Sequence, residues 1–196
     1  FLERRPNGAI VQLGCGLETT YYRCDNGRAH WYAVDLPHVI EYRRGLLPEP
    51  ERECYISGNA FAKDWIKKVR DEVLDTPILV IAGGLFHYFE ENKVIALLRM
   101  IGQFGNMEVV FDTVNRKGMA MMQKKYMRQI GHADAQMFFY VDAVEELAAK
   151  IGGNAKVIAD EPYYRYIPKN GLKMSTKVSM AVSDRFCMVK MIQLKL

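Results

Sequence analysis

The stretch Ala9-Ile10-Val11-Gln12-Leu13-Gly14-Cys15-Gly16-Leu17-Glu18-Thr19 decides how the rest of the chain is read. An apolar run ends in two glycines one residue apart, and the next apolar run, Trp31-Tyr32-Ala33-Val34, ends in Asp35. An α/β domain builds a nucleoside site in this way, at the carboxyl edge of its first strand. Gly14 permits a tight turn, and Gly16 lets the backbone approach a ligand closely. Asp35 stands where a carboxylate can accept both hydroxyls of a ribose. The glycines alone also fit a ligand-free strand-to-helix turn; the acid at this spacing favours the nucleoside site.

The next residues bear on which nucleoside. A dinucleotide fold places a third small residue where Thr19 sits, so that helix and strand pack closely over a pyrophosphate. Here that position is β-branched and polar, and Glu18 precedes it. A carboxylate there repels a pyrophosphate but can face the positively charged end of an amino-acid tail. The pattern favours S-adenosylmethionine over NAD.

Composition narrows the class. The 196 residues are 49% hydrophobic, enough for one α/β domain over residues 1–196 with a sizeable core. The net charge is only +4, and the basic pairs Arg4–Arg5, Arg43–Arg44, Lys67–Lys68 and Lys124–Lys125 lie scattered among acids. Solvated helix faces account for them, so no nucleic-acid partner is inferred. Cys15, Cys24, Cys54 and Cys187 lack Cys-x-x-Cys spacing and a nearby histidine pair. No metal site or disulfide framework is therefore expected, and a reducing cytoplasm fits. No apolar run reaches the length of a membrane span, and no signal peptide is evident. The 11 methionines point to a plastic core. The chain opens on Phe1 rather than Met, with room for little ahead of the first strand.

Further along, the pattern alternates strand and helix. A helix over about Leu17 to Arg23 leads to the turn Asp25-Asn26-Gly27 and a strand from His30. Pro37 opens a helix carrying Arg43 and Arg44, which Pro48 and Pro50 close. A strand near Glu53 to Ser57 delivers Gly58-Asn59-Ala60-Phe61. Asn59 can pair with the exocyclic amine of an adenine, with Ala60 and Phe61 in apolar contact; an ordinary turn with a helix cap is the competing reading. Asp64 is expected to cap the helix bearing Ile66, Val69 and Val73.

Ile78-Leu79-Val80-Ile81-Ala82 reads as a central strand buried on both faces. It ends in Gly83-Gly84-Leu85-Phe86-His87-Tyr88-Phe89, whose glycines allow close approach beneath a methyl donor. His87 and Tyr88 are candidates for the acceptor side, although a histidine here is more often at the surface or satisfied within the fold. A helix over about Glu91 to Gln103, a strand over Glu108 to Thr113 and a Met-rich helix over Gly118 to Gln129 follow. Asp142 with Glu145 reads as a capping box, and Gly152-Gly153 ends that helix. A strand over Ala155 to Ala159, a helix over about Leu172 to Val182 and a strand over Phe186 to Leu194 complete the chain, with the last strand expected to run antiparallel.

At these positions the chain resembles the leucine carboxyl methyltransferase family, and in particular its bacterial members that O-methylate polyketides. Val11 to Thr19, Asp35-Leu36-Pro37 with Val39-Ile40, and Ala82-Gly83-Gly84-Leu85 with Tyr88-Phe89 carry the resemblance. It implies a Rossmann-like class I methyltransferase fold, α/β, with a seven-stranded mostly parallel sheet, an antiparallel last strand and helices on both faces. It also implies S-adenosyl-L-methionine as methyl donor, contacted by Gly14, Cys15, Gly16, Asp35, Leu36, Asn59, Ala60, Gly83, Gly84 and Leu85. Family members usually carry an acid where Gly83 stands, and more often an acid than an amide at Asn59. They also begin with helices ahead of the first strand, expected to be absent from this chain.

The function expected is O-methyl transfer to a carboxylate or hydroxyl of a small, polyketide-like molecule, with no catalytic residue assigned. A donor-binding regulatory module without chemistry is the alternative. The Asp/Asn-Pro-Pro-aromatic turn common in base-modifying methyltransferases is replaced here by Ala82-Gly83-Gly84-Leu85. Oligomeric state is open, a homodimer being one option.

Overall fold

The computed structural model describes residues 1–123 and 136–196. The strands are β1 (Ala9–Leu13), β2 (His30–Asp35), β3 (Glu53–Ser57), β4 (Ile78–Ala82), β5 (Met107–Val114), β6 (Lys156–Pro162) and β7 (Val189–Lys195). They form one 7-stranded sheet in the order β3-β2-β1-β4-β5-β7-β6. Strands β1 to β5 are mutually parallel, and β7 runs antiparallel to both β5 and β6. The helices are α1 (Thr20–Cys24), α2 (Pro37–Leu46), α3 (Asp64–Val73), α4 (Glu91–Gly102), α5 (Arg116–Met121), α6 (Val144–Ile151) and α7 (Met174–Arg185).

The central position of β1 follows from its residues. All five of them are buried, and alternate side chains enter different cores. Ala9, Val11 and Leu13 pack with Trp65, Ile66 and Val69 of α3 and with Val94 and Leu98 of α4. On the other face, Ile10 meets Tyr21 and Trp31, while Ala33 of β2 meets Cys15, Ile40 and Tyr55. Each buried Val, Leu or Ile among them contributes about 1.5–3 kcal/mol. Because both faces of β1 are covered, its carboxyl end is the place where the chain can open toward a ligand.

Several local expectations are corrected. Helix α1 begins at Thr20 rather than Leu17, because the positive φ angles of Gly14 and Gly16 hold the preceding loop out of helical geometry. Asp64 is the first residue of α3 rather than its cap; Lys63 holds the cap position and makes no side-chain cap bond. The Asp142–Glu145 capping box does not form. Ala143 is the cap residue of α6, and Asp142 Oδ1 instead accepts the Arg116 N–H at 2.9 Å, serving the start of α5. Helix α5 is capped by Asn115, whose Oδ1 accepts the Gly118 N–H at 2.8 Å. The expected continuation of this helix to Gln129, and the Lys124–Lys125 pair, lie outside the described residues. Among the described residues, no helix is long and apolar enough to cross a membrane.

Candidate active site

In this strand order the chain leaves β1 toward β2 on one side, and β4 returns to its other side. The topology therefore opens a crevice beyond the carboxyl ends of β1 and β4. Gly14 (φ +63) and Gly16 (φ +47) turn the chain there in the left-handed region. The N–H groups of Gly14 and Cys15 both reach the Val34 carbonyl, at 2.9 and 3.3 Å. The loop after β1 is thus latched to the end of β2.

Asp35 completes the latch. Its Oδ2 accepts the Gly16 N–H at 2.8 Å and its Oδ1 accepts the Leu36 N–H at 2.7 Å. A carboxylate offers about four lone-pair sites, so both oxygens retain acceptor capacity. The Gly58 N–H reaches the Asp35 carbonyl at 2.8 Å, joining the loop after β3 to the same point. A Cβ built at Gly16, Gly83 or Gly84 would meet nothing within 4 Å, so these backbones border open space of the kind a nucleoside requires. Gly14 differs: its Cβ would lie 3.0 Å from Leu85 Cδ1, so the loops after β1 and β4 touch at that point.

Asn59 is partly committed. Its Oδ1 accepts the Phe61 N–H at 2.9 Å, while the Ala60 carbonyl accepts the Trp65 indole N–H at 2.9 Å. The turn reading is realised, with the Asn59 amide N–H₂ and one oxygen lone pair to spare. Cys15 is buried; burial pushes its thiol up to about 12 against the pull of Arg43, so it stays protonated and unreactive.

Arg43, expected on a solvated face, has no exposed surface. It follows Ile40 by three residues on α2, and that spacing turns it toward the sheet. Its Nη1 donates to the carbonyls of Gly16 (3.1 Å) and Glu18 (2.8 Å), and its Nη2 to Glu53 Oε1 (3.4 Å). The guanidinium lies 4.8 Å from the Tyr55 ring centroid. A buried cation is tolerable only with such partners. Here they include two carbonyls of the glycine loop.

Beyond β4, His87 is 5% exposed and its Nε2 lies 3.2 Å from Asp112 Oδ2 at the end of β5. Asp112 Oδ1 accepts the Gly84 N–H at 2.6 Å. Burial alone would raise the Asp112 carboxyl, but the His87 and Gly84 bonds outweigh it and hold the group below its ordinary value. The Phe138 N–H donates to the His87 carbonyl at 2.8 Å, fixing the backbone. His87 and Asp112 line a cavity of about 530 Å³ between β5, β7 and α7.

Residues 3–102 match the family model of leucine carboxyl methyltransferases. The chain belongs to that family. It is 34% identical over 116 residues to the tetracenomycin polyketide synthesis O-methyltransferase TcmP of Streptomyces glaucescens, an alignment covering 58% of this chain and 42% of TcmP. The chain thus spans less than half the length of that relative. Among solved structures, a methyltransferase of Thermobifida fusca superposes with TM-score 0.66 at 14% identity, covering 97% of this chain and 73% of the other. LepI in complex with SAM superposes with TM-score 0.61 at 16% identity, covering 99% of this chain and 43% of LepI. These likenesses show the fold.

In this member of the leucine carboxyl methyltransferase family, Gly14, Gly16, Asp35 and Leu36 are brought together at one strand end, and Leu85 touches Gly14. His87 joins Asp112 at the cavity, whereas Tyr88 is 47% exposed and does not line it. Arg43 and Asp112 carry parts of the site that the motif reading did not assign. The i, i+3 step from Ile40 and the acid at a strand's carboxyl end were the available signals.

Proposed function

We propose that the chain holds S-adenosylmethionine across the ends of β1, β2 and β4 and supports transfer of its methyl group to an oxygen of a small molecule, either a carboxylate or a hydroxyl. The observation that carries this reading is the Asp35 carboxylate, tied to Gly16 N–H and Leu36 N–H at the mouth of a glycine-bordered crevice. Asp35 would accept the ribose hydroxyls, and Gly14, Cys15 and Gly16 would line the path of the amino-acid tail. Asn59 and Ala60 would face the adenine, and Gly83 to Leu85 would pass beneath the sulfur.

The sulfonium makes its own methyl group electrophilic, so the protein's task is to align an acceptor oxygen and exclude water. Membership of the leucine carboxyl methyltransferase family supports the reading. TcmP, described as a polyketide-synthesis O-methyltransferase, supports an oxygen acceptor. Transfer of a radiolabelled methyl group from S-adenosylmethionine to a panel of aromatic acids and phenols tests it. Donor binding without transfer to any acceptor would favour the regulatory-module alternative.

A further inference from the structure

We propose that helix α7 and the loop before it form a contact face for an anionic lipid surface, on which the helix lies lengthwise without crossing. The proposal is independent of the methyl-transfer reading, so the failure of one leaves the other standing.

Helix α7 carries more apolar surface than its place on the sheet uses. Of its 12 residues only Met180 and Ser183 are buried, where the helix rests on β6 and β7. Met174, Val178 and Val182, with Phe186 just past the helix end, are 73%, 55%, 45% and 57% exposed. A step of four residues turns a helix by only about 40° beyond a full turn, so these side chains form one row, about 18 Å long. Met180 is two residues from both Val178 and Val182 and points roughly the opposite way. The helix is thus apolar on two opposite sides, and the fold covers one of them. Ile167 and Leu172, in the loop before it, are exposed as well. A row of this kind marks a contact surface, whereas single exposed apolar residues are ordinary.

The charge around the row says what it contacts. Between Arg165 and Phe186 lie five basic residues and one acid, and the rest of the chain holds 22 of each. The whole net charge of +4 therefore resides in this segment. Arg165 is matched by Glu161 at 3.7 Å, but among the described residues Lys169, Lys173, Lys177 and Arg185 have no ion-pair partner. Asp184, the single acid, accepts the Tyr164 N–H at 3.1 Å.

A second copy on this face would set like charge against like. A nucleic acid would answer the cations and leave the apolar row in water. An anionic bilayer answers both: lipid phosphates meet the ammonium and guanidinium groups, whose alkyl stems run along the boundary, and the apolar row enters the edge of the acyl region. An acidic protein also matches the charge, but it must supply a groove cut to fit a helix of which 10 residues in 12 are at least partly exposed. A fluid interface needs no such match.

The test is flotation of the full chain with vesicles of pure phosphatidylcholine or of phosphatidylcholine mixed with phosphatidylglycerol, at low and at physiological salt. The proposal expects retention on the anionic vesicles alone, weakened by salt. Lys173→Gln with Lys177→Gln should weaken binding roughly twenty- to thirtyfold, the effect of two lysines at a charged surface. Val178→Ser with Val182→Ser should weaken it roughly tenfold, by removing apolar side chains from the row. Both pairs lie at exposed or half-exposed positions, so the Tm should hold; should one pair lower it, the other decides. Retention on the anionic vesicles that neither pair reduces, equal retention on both vesicles, or no retention of the folded chain overturns the proposal, the last in favour of an acidic protein partner.

Discussion

Arg43 Nη1 donates to the Gly16 carbonyl at 3.1 Å from a side chain with no exposed surface. The glycine loop is therefore held twice: Asp35 takes the N–H of Gly16, and Arg43 takes its C=O. Burial pushes the Glu53 carboxyl up while Arg43 opposes it, so neither partner is comfortable without the other. Removing Arg43 alone, as in Arg43→Met, strands Glu53 and should cost about 3–5 kcal/mol, read by urea unfolding. The double change Arg43→Met with Glu53→Gln should recover part of that loss. It should leave donor affinity impaired, because the loop carbonyls remain without their donor.

Gly14 and Gly16 both have positive φ, yet alanine should not affect them equally. At Gly16 a Cβ meets open space, so Gly16→Ala faces only the left-handed backbone cost of about 1–2 kcal/mol. At Gly14 the same cost is joined by a contact at 3.0 Å with Leu85 Cδ1, so Gly14→Ala should be the more destabilising and should displace Leu85. Chemical denaturation of the two variants checks the order, and Gly14→Ala with Leu85→Ala should narrow the gap.

Much of this was legible in the residues. The strand run into Gly14-Cys15-Gly16 and the acid at Asp35 place the crevice, because strand periodicity and glycine stereochemistry are local properties. The antiparallel run of β7 against β5 and β6 was implied by the family resemblance and not by chain length, because the segment between β6 and β7 holds all of α7 and is long enough for a parallel crossover. What escaped was side-chain direction over long separations. Asp142 looked like the cap of its own helix but faces the start of α5, twenty-six residues earlier in sequence. Arg43 looked like one of several surface basic residues, and only the packed α2–β3 interface shows it buried. His87 offered no local sign of Asp112, because the pair joins the ends of two different strands.

Asp112 links the Gly84 loop to His87, and its acidity sets a pH dependence. Its folded-state carboxyl is held below the ordinary value, so the stabilisation is complete above about pH 4 and is lost as pH falls through the folded-state value. Asp112→Asn should lower stability at neutral pH by about 1–3 kcal/mol and flatten the acid limb of the stability–pH curve. Unfolding free energies between neutral pH and strongly acidic conditions check this. An unchanged acid limb in the variant would remove Asp112 from the account.

Gly118 opens a different test, at the junction of α5 with the start of β7. A Cβ there would fall well inside contact distance of the Met188 carbonyl oxygen, which is backbone and cannot swing away. Gly118→Ala should therefore destabilise by more than about 2 kcal/mol, beyond the ordinary range for a surface change. It should also perturb the cavity, since Met188 and Val189 line it. A lowered Tm checks the first expectation, and a changed packing of Met188 and Val189 in a structure of the variant checks the second.

The central claim is that a single carboxylate at the end of β2 grips the sugar of a sulfonium nucleoside. Calorimetric titration of S-adenosylhomocysteine into the wild-type chain and into Asp35→Ala tests it most directly. The account predicts measurable binding to the wild type and a loss of roughly 1.5–3 kcal/mol, up to about a hundredfold in affinity, in the variant. Equal affinity for the two proteins, with both folded, would contradict it.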